Sequence, residues 1–127
     1  MVEAGTPSGS DSTMDPPIGI DVDTTMPGRI IVNVHGEIDM FTAPQLRKSL
    51  LSCTDNPDTH IVVDLSDVSF LGSTGLQLLI EALQQARSSG ATLSLVSASR
   101  HVIRPLTLTG LDEVFDIYSS RDELPPV

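Results

Sequence analysis

The chain has 127 residues, enough for one domain with an ordinary hydrophobic core. It carries 17 acidic and 7 basic residues, a formal net charge of −10, with three Phe, one Tyr and no Trp. Direct binding of nucleic acid is disfavoured, because phosphate contacts need a basic surface and single-stranded bases stack on aromatic side chains. The acidity fits either simple solubility or attraction of a basic partner.

The ends of the chain and its one cysteine indicate where such a protein would work. With Cys53 alone, no intrachain disulfide can form. Residues 1–17 have neither the basic start nor the apolar stretch of a signal peptide, and no apolar run approaches the ~20 residues of a membrane span. We therefore expect a cytoplasmic protein without a membrane partner. The Gly, Ser, Thr, Pro and Asp of residues 1–17 predict a flexible N-terminal arm.

The predicted domain begins near Ile18 with two strands. Apolar and polar residues alternate over 18–23 and again over 30–36, as they do in half-buried strands. The intervening residues 24–29, Thr-Thr-Met-Pro-Gly-Arg, include turn formers. The pattern predicts a β-hairpin.

Residues 41–53 carry the signals of a helix. Thr42 is expected as the N-cap, with Gln45 at capping-box spacing and Pro44 tolerated in the first turn. Cys53 is interpreted as core filler rather than a reactive thiol, because free cysteines are usually buried. The predicted apolar face consists of Ala43, Leu46, Leu50 and Cys53.

A central strand is predicted at residues 60–66, because this run is apolar on both faces and rich in β-branched residues. The carboxylate of Asp64 on this strand must lie at the strand's exit or find a donor, and we interpret it as structural. Helical spacing over 74–90 and strand alternation over 91–97 then predict a parallel βαβ unit, with Gly90 as the helix stop. The apolar face of this helix is predicted to contain Leu76, Leu79, Ile80 and Leu83.

The last elements complete an α/β fold. A helix is predicted from Ser99, which would be its N-cap, and Pro105 is expected to shorten or kink it. Residues 114–118 fit an edge strand. The order β-β-α-β-α-β-α-β predicts a mixed sheet of four or five strands with helices packed against it.

The stretch Phe-Leu-Gly-Ser-Thr-Gly-Leu at 70–76 lies where the central strand leads into a helix. Backbone N–H groups at a helix N-terminus carry partial positive charge, so a phosphate on Ser73 would be accommodated there. The alternative is that Ser73 and Thr74 merely supply an N-cap. Neither a Gly-x-Ser-x-Gly elbow nor a P-loop is present. A serine nucleophile lacks a base positioned by the sequence, and the spacing of the three histidines disfavours a metal site.

A second loop, at residues 35–43, carries Glu37 and Asp39 and also leads into a helix. If the strand before it lies beside the central strand, this acidic loop would lie near Ser73. The alternative is a solvated turn with a capping carboxylate.

Three motifs follow one another along the chain: GEIDMFTAPQLRKSL, then HIVVDLSDVSFLGSTGLQLLIEA, then LTLTGLDEVFDIY. Together they resemble the STAS-domain family, specifically the bacterial anti-sigma factor antagonists. The resemblance covers residues 18–121 and leaves 122–127 as a short tail. It implies a mixed sheet with packed helices, in agreement with the order of elements above.

The resemblance also implies a function that is not enzymatic and needs no cofactor or metal. The unphosphorylated protein would bind an anti-sigma factor that is also a serine-protein kinase, which releases a sigma factor. Phosphorylation would abolish this binding, and a phosphatase would restore it. The family's Asp-Ser-Ser/Thr-Gly-Leu aligns with residues 72–76, so Ser73 is the predicted acceptor and Thr74 the second choice. The predicted partner-binding residues are Glu37, Asp39, Phe41, Thr42, Gly72, Ser73, Thr74, Gly75 and Leu76.

The chain departs from the family pattern at Gly72, where the family usually has Asp. This change would alter kinase recognition, slow phosphorylation or leave a protein that binds its partner constitutively. Two other functions stay open at this point: an interaction or ligand-sensing STAS module outside sigma-factor control, and a small enzyme that acts through Ser73.

Overall fold

The computed structural model describes residues 18–127, which form five β-strands, three α-helices and two short 3-10 helices. The N-terminal arm predicted for residues 1–17 lies outside the described residues. The strands are β1 (Ile18–Asp23), β2 (Arg29–Ile38), β3 (His60–Leu71), β4 (Thr92–Val96) and β5 (Asp116–Tyr118). The helices are α1 (Ala43–Cys53), α2 (Ser73–Ser88) and α3 (Arg100–Leu108), with 3-10 turns at Leu111–Glu113 and Arg121–Glu123.

The strands of the described chain form one mixed sheet in the order β1-β2-β3-β4-β5. β1 pairs antiparallel with β2 as a hairpin, and every later pair is parallel. Each parallel pair needs a crossover connection, and α1, α2 and α3 supply them in turn. The predicted mixed α/β sheet is confirmed, with β3 at its centre and β5 at an edge.

The main hydrophobic core lies between one face of the sheet and the helices. Alternate residues of the three central strands point into it, among them Val32, Val63 and Leu95, all fully buried. Burial of an aliphatic side chain of this size contributes roughly 1.5–3 kcal/mol. The predicted faces of α1 and α2 are confirmed, except that Ile80 is only half-buried. The buried helical residues include Ala43, Leu46, Leu50, Cys53, Leu76, Leu79, Leu83, Val102 and Leu106.

The opposite face of the sheet holds a smaller apolar cluster, which the C-terminal residues cover. Ile31, Val62 and Val96 form it, and Leu124 packs against it. Beside it the Arg121 guanidinium lies 2.5 Å from the buried Asp64 carboxylate. Burial raises the pKa of Asp64, but hydrogen bonds from Ser66 and Arg121 outweigh that effect and hold the pKa below its ordinary value. The structural role predicted for Asp64 is confirmed.

A polar chain crosses the same face from Arg29 through His60 to Ser94. The buried Arg29 donates to His60 Nδ1 from Nε and Nη2, at 3.2 and 3.0 Å, and to the Pro125 carbonyl oxygen. Since Nδ1 must accept, the ring proton lies on Nε2, 2.8 Å from the Ser94 hydroxyl oxygen. Burial lowers the pKa of His60, and the charge of Arg29 lowers it further.

Two strands run further than their sequence patterns predict. β2 continues to Ile38, so Glu37 lies in a strand rather than in the loop, and β3 continues to Leu71. The reason is that parallel pairing persists to the Ile38–Leu71 pair across two register shifts. At each shift β3 contributes one extra residue, which breaks the alternation that marks a strand in the sequence.

Helix α3 begins as predicted and continues through its proline. Ser99 Oγ accepts a hydrogen bond of 3.2 Å from the His101 N–H, which confirms the predicted N-cap. The helix runs three residues beyond Pro105, to Leu108. Pro105 lies one turn into the helix, where its missing N–H deprives only the carbonyl of the exposed His101.

Helix α2 packs against the ends of β2 and β3 through Gly75. A Cβ atom at this position would lie 2.6 Å from Ile38 Cγ2 and 2.7 Å from Leu71 Cδ1, both of which belong to buried side chains. Gly72, three residues earlier, has more room: its Cβ would lie 3.1 Å from the ring of the half-exposed Phe70. Of these two glycines, Gly75 is the one that close packing requires.

The first prediction is that protonation of His60 destabilises the fold. The unfolded chain takes up a proton near the ordinary pKa of 6.5, whereas the folded chain resists it. The free energy of unfolding, measured with urea, should be constant above about pH 7 and decrease between about pH 7 and 5.5. His60→Gln should flatten this decrease, and His101→Gln, at an exposed histidine, should not. If the free energy of unfolding of His60→Gln decreased as much as that of the parent, protonation of His60 would not be the cause. Asp64 does not contribute to this decrease, because the unfolded chain takes up its proton around the ordinary pKa of 3.8, and the resulting loss of stability begins only below about pH 5.

The second prediction concerns the two glycines. Gly75→Ala should lower the free energy of unfolding by about 1–3 kcal/mol, because Ile38 and Leu71 cannot move aside without opening the core. The matched variant Gly72→Asp should stay within about 1 kcal/mol of the parent, since Asp and Gly are both tolerated at an N-cap. Urea denaturation of the three proteins measures both values. Equal stability of Gly75→Ala and the parent would show that the packing is not tight.

Candidate functional site

Two loops meet at the carboxyl ends of β2 and β3, the edge of a parallel sheet where functional groups commonly gather. Residues 39–42 join β2 to α1, and Gly72 alone separates β3 from α2. The Gly72 N–H donates to the Ile38 carbonyl oxygen at 3.0 Å, which joins the two loops directly. The expectation that the acidic loop lies near Ser73 is confirmed.

Ser73 is the first residue of α2, and its side chain is exposed. Gly72 occupies the N-cap position in extended conformation, and no side chain caps this end of the helix. The interpretation of Ser73 and Thr74 as simple caps is therefore wrong, because both lie inside the helix. The N–H groups of the first turn leave partial positive charge beside the Ser73 hydroxyl. Thr74 is half-buried, so Ser73 is the more accessible of the two.

The loop at 39–42 is held by its own polar groups. The Asp39 carboxylate accepts from the N–H groups of Phe41 and Thr42 at 2.9 and 3.0 Å. The Thr42 hydroxyl donates to the Glu37 carbonyl oxygen at 2.7 Å and accepts from the Asp39 N–H at 2.9 Å. Thr42 stands at the N-cap position of α1 but makes no side-chain cap bond, so the predicted capping box is wrong. Its hydroxyl turns back to brace the loop instead.

This bracing displays an apolar patch beside Ser73, formed by Met40, Phe41 and Phe70. Their exposed fractions are 66, 83 and 50%. The three side chains line an open cleft of about 360 Å³ together with Asp39, Gly72, Ser73 and Thr74. Sequence analysis singled out Phe41 but not Met40 or Phe70. The available signal was that two of only three Phe residues stand at the two junctions.

On its other side, Ser73 lines a second open cleft of about 450 Å³, bounded by helix α3. Three side chains of this basic cleft are cationic or can become so: Arg100, His101 and Arg104. Sequence analysis assigned none of them a role. The signal was an Arg-His-x-x-Arg spacing, which places all three on neighbouring turns of a helix.

The predicted partner-binding residues divide by exposure. Glu37, Phe41 and Ser73 are exposed, and Asp39, Gly72 and Thr74 are half-buried. The buried ones support the loops from beneath: Thr42, Gly75 and Leu76.

Two arrangements of the described residues bear on catalytic and metal chemistry. His101 lines the same cleft as Ser73, but no hydrogen bond joins their side chains, and no carboxylate among residues 18–127 forms an ion pair with His101. Within that same range no three His, Cys, Asp or Glu side chains are grouped as a metal site. Burial raises the pKa of the Cys53 thiol. No helix of the described part of the chain is long and apolar enough to cross a membrane.

Among known proteins, this chain is similar to several anti-sigma factor antagonists. The Anti-sigma-B factor antagonist of Bacillus subtilis is 35% identical over 94 residues, which are 74% of this chain and 84% of that protein. The Anti-sigma-F factor antagonist RsfB of Mycobacterium tuberculosis is 33% identical over 93 residues, 73% of this chain and 75% of that protein. The crystal structure of an anti-sigma factor antagonist from Mycobacterium paratuberculosis has a TM-score of 0.76 at 35% identity and covers 84% of this chain and 89% of its own.

The family profile agrees with these relatives. The STAS domain matches residues 21–124, from within β1 to the end of the C-terminal 3-10 turn. The mixed sheet with packed helices is the fold that the resemblance implied. The chain belongs to the STAS domain family.

Proposed function

We propose that this protein is an anti-sigma factor antagonist whose unphosphorylated form binds an anti-sigma factor and so releases a sigma factor. The observation that carries this proposal is the exposed Ser73 hydroxyl at the start of α2, directly beside the exposed apolar patch. A hydroxyl at that place can be modified without unfolding the chain, and the apolar patch offers surface that a partner would bury. The names of the relatives supply the class of partner.

The proposed partner is an anti-sigma factor that also acts as a serine-protein kinase, with a separate phosphatase to reverse the modification. The kinase would transfer the γ-phosphoryl group of ATP to Ser73 Oγ, and the hydroxyl proton would leave to a base of the kinase. Ser73 is the proposed acceptor rather than Thr74 because its side chain is exposed and unbranched. Nothing in this role requires a cofactor of the antagonist itself.

Phosphorylation would switch off binding through charge and desolvation. A phosphoserine brings about −1.5 to −2 charges at neutral pH to a residue that shares its cleft with Met40, Phe41 and Phe70. A partner seated on these side chains would have to strip water from the phosphate. A penalty of about 3 kcal/mol corresponds to a more than hundredfold loss of affinity.

The glycine at position 72 removes a carboxylate from the proposed recognition loop. The backbone there is extended, so it does not require glycine, and an added side chain has room if the Phe70 ring shifts slightly. Among the described residues, no side chain consequently caps the N–H groups of the first turn of α2. We therefore propose that the kinase partner of this protein recognises the loop without an acidic residue before the acceptor.

The third prediction tests the acceptor. Incubation with a cognate anti-sigma kinase and ATP should add one phosphate, about 80 Da by intact-mass spectrometry, and Ser73→Ala should add none. Thr74→Ala is the control and should still be phosphorylated. Loss of the phosphate only in Thr74→Ala would move the acceptor to Thr74. Ser73→Ala should keep its affinity for the anti-sigma factor, and a failure of this variant to bind any anti-sigma factor would favour an interaction module outside sigma-factor control.

The fourth prediction tests the apolar patch. Phe41→Ser should weaken binding of the unphosphorylated protein to the anti-sigma factor by about tenfold or more, because exposed aromatic anchors carry much of an interface's affinity. Met26→Ser is the matched control: Met26 is 47% exposed but lies before β2, at the opposite end of the strand from the patch. Titration calorimetry measures both affinities. Equal losses in the two variants would contradict a specific role of the patch.

A further inference from the structure

The basic cleft concentrates positive charge beside Ser73 in a chain that is otherwise strongly acidic. The chain has 7 basic residues against a net charge of −10, and two of them, Arg100 and Arg104, line this one cleft with His101. No Asp or Glu is among the described residues that line it. The remaining lining residues are apolar or hydroxyl-bearing, including Ser73 itself.

Among the described residues, these two arginines have no carboxylate partner, unlike other arginines in the fold. Arg47 pairs with Glu81 at 2.6 Å, Arg121 pairs with Asp64, and Arg29 is buried against His60. Neither Arg100 nor Arg104 has a carboxylate within 4.0 Å among residues 18–127. Both side chains are exposed on α3, so they can turn toward a charge that arrives in the cleft.

The cleft on the other side of Ser73, which contains the apolar patch and Asp39, is less suited to bind a phosphate. Asp39 lines the other cleft beside Ser73, and its carboxylate already accepts two backbone hydrogen bonds. A phosphate on Ser73 would be repelled by Asp39 and attracted by the guanidinium groups across the basic cleft. Arginine donates paired N–H hydrogen bonds to phosphate oxygens, so the basic cleft is the better binding site for the phosphate of the two clefts beside Ser73.

We propose that Arg100 and Arg104, with His101 beside them, hold the phosphate of phosphorylated Ser73 within the same chain. The inference rests on the proposed phosphorylation of Ser73 and adds the groups that receive it. In this arrangement the N-terminus of α2 and the cations of α3 hold the phosphate from two sides. In the free phosphorylated protein, the phosphate would then be ion-paired with the arginines of α3. The same phosphate would weaken binding of the anti-sigma factor.

The test uses the full chain with phosphoserine installed at position 73 during translation, so that no kinase is needed. The second pKa of the phosphate is followed by ³¹P NMR titration. It should lie below the ~6 of an ordinary phosphoserine, and Arg100→Gln/Arg104→Gln should raise it by about 0.5 unit or more, because nearby positive charge favours the dianion. Arg87→Gln, at the exposed C-terminal turn of α2, is the control for the loss of one positive charge.

The outcomes show whether the arginines of the basic cleft or another group lowers the pKa of the phosphate. A rise in the double glutamine variant larger than twice that in Arg87→Gln, with the low pKa retained in Arg100→Lys/Arg104→Lys, supports the proposal. A low phosphate pKa that persists in the double glutamine variant would assign it to the helix N-terminus and overturn the proposal. Circular dichroism confirms that each variant is folded, as the exposure of both arginines predicts.

This result is independent of the proposed function. If no anti-sigma kinase phosphorylates Ser73 but the installed phosphate shows the arginine-dependent pKa, the proposed function fails and the cleft remains a phosphate site. If a kinase phosphorylates Ser73 and the arginine variants leave the phosphate pKa unchanged, the proposed function stands and the role of the cleft is wrong.

Discussion

The parallel pairing of β2 with β3 beyond their regular segments is the constraint on which the candidate site depends. It brings Ile38 opposite Leu71, and the Gly72 N–H then donates to the Ile38 carbonyl oxygen. The same two apolar side chains leave no space for a Cβ atom at Gly75, which fixes how closely α2 approaches the sheet. Because backbone pairing and close packing act together, the start of α2 has one position relative to the loop before α1.

That position places Ser73 between two surfaces of opposite chemistry. One side presents aromatic and thioether groups held outward by the Asp39 and Thr42 hydrogen bonds, and the other presents the cations of α3. An unmodified hydroxyl is small and neutral enough to lie under a partner that covers the apolar side. A phosphate is not, since it carries charge that the apolar side cannot solvate and the basic side can. The proposed switch thus depends on Ser73 having an apolar surface on one side and a positively charged surface on the other.

In the described chain, the two faces of the sheet are stabilised by different interactions. The helical face carries most of the buried apolar surface, whereas the opposite face relies on a small cluster and on buried polar groups. Arg121 satisfies Asp64, and Arg29 satisfies His60 and the Pro125 carbonyl, so the C-terminal residues are bound by charge-assisted bonds. None of these groups reaches Ser73, so the charges that stabilise the fold are separate from those proposed to act on the switch.

Local patterns in the sequence predicted most helices and strands of this protein, because helical periodicity and strand alternation indicate which side chains are buried. The face of α1, the Ser99 cap and the order of elements could all be predicted from neighbouring residues, whereas Ser73 was singled out by the resemblance to a family motif. The extensions of β2 and β3 could not, since two bulges break the alternation. Thr42 occupies the predicted N-cap position, but the predicted capping bond is absent because its hydroxyl bonds the backbone of Glu37 and Asp39, which precede the helix.

By itself, the sequence determined the α/β class and the positions of the helices, and its resemblance to the STAS-domain family pointed to Ser73 as the residue that we propose as the switch. Only the tertiary structure decided what surrounds that residue. Met40 lies in the loop that follows β2, and Phe70 lies in β3. Arg100 and Arg104 lie in α3, some thirty residues after Ser73. The physical reason is that side chains distant along the chain meet only after sheet register and helix packing are established, and neither is encoded in any one local pattern.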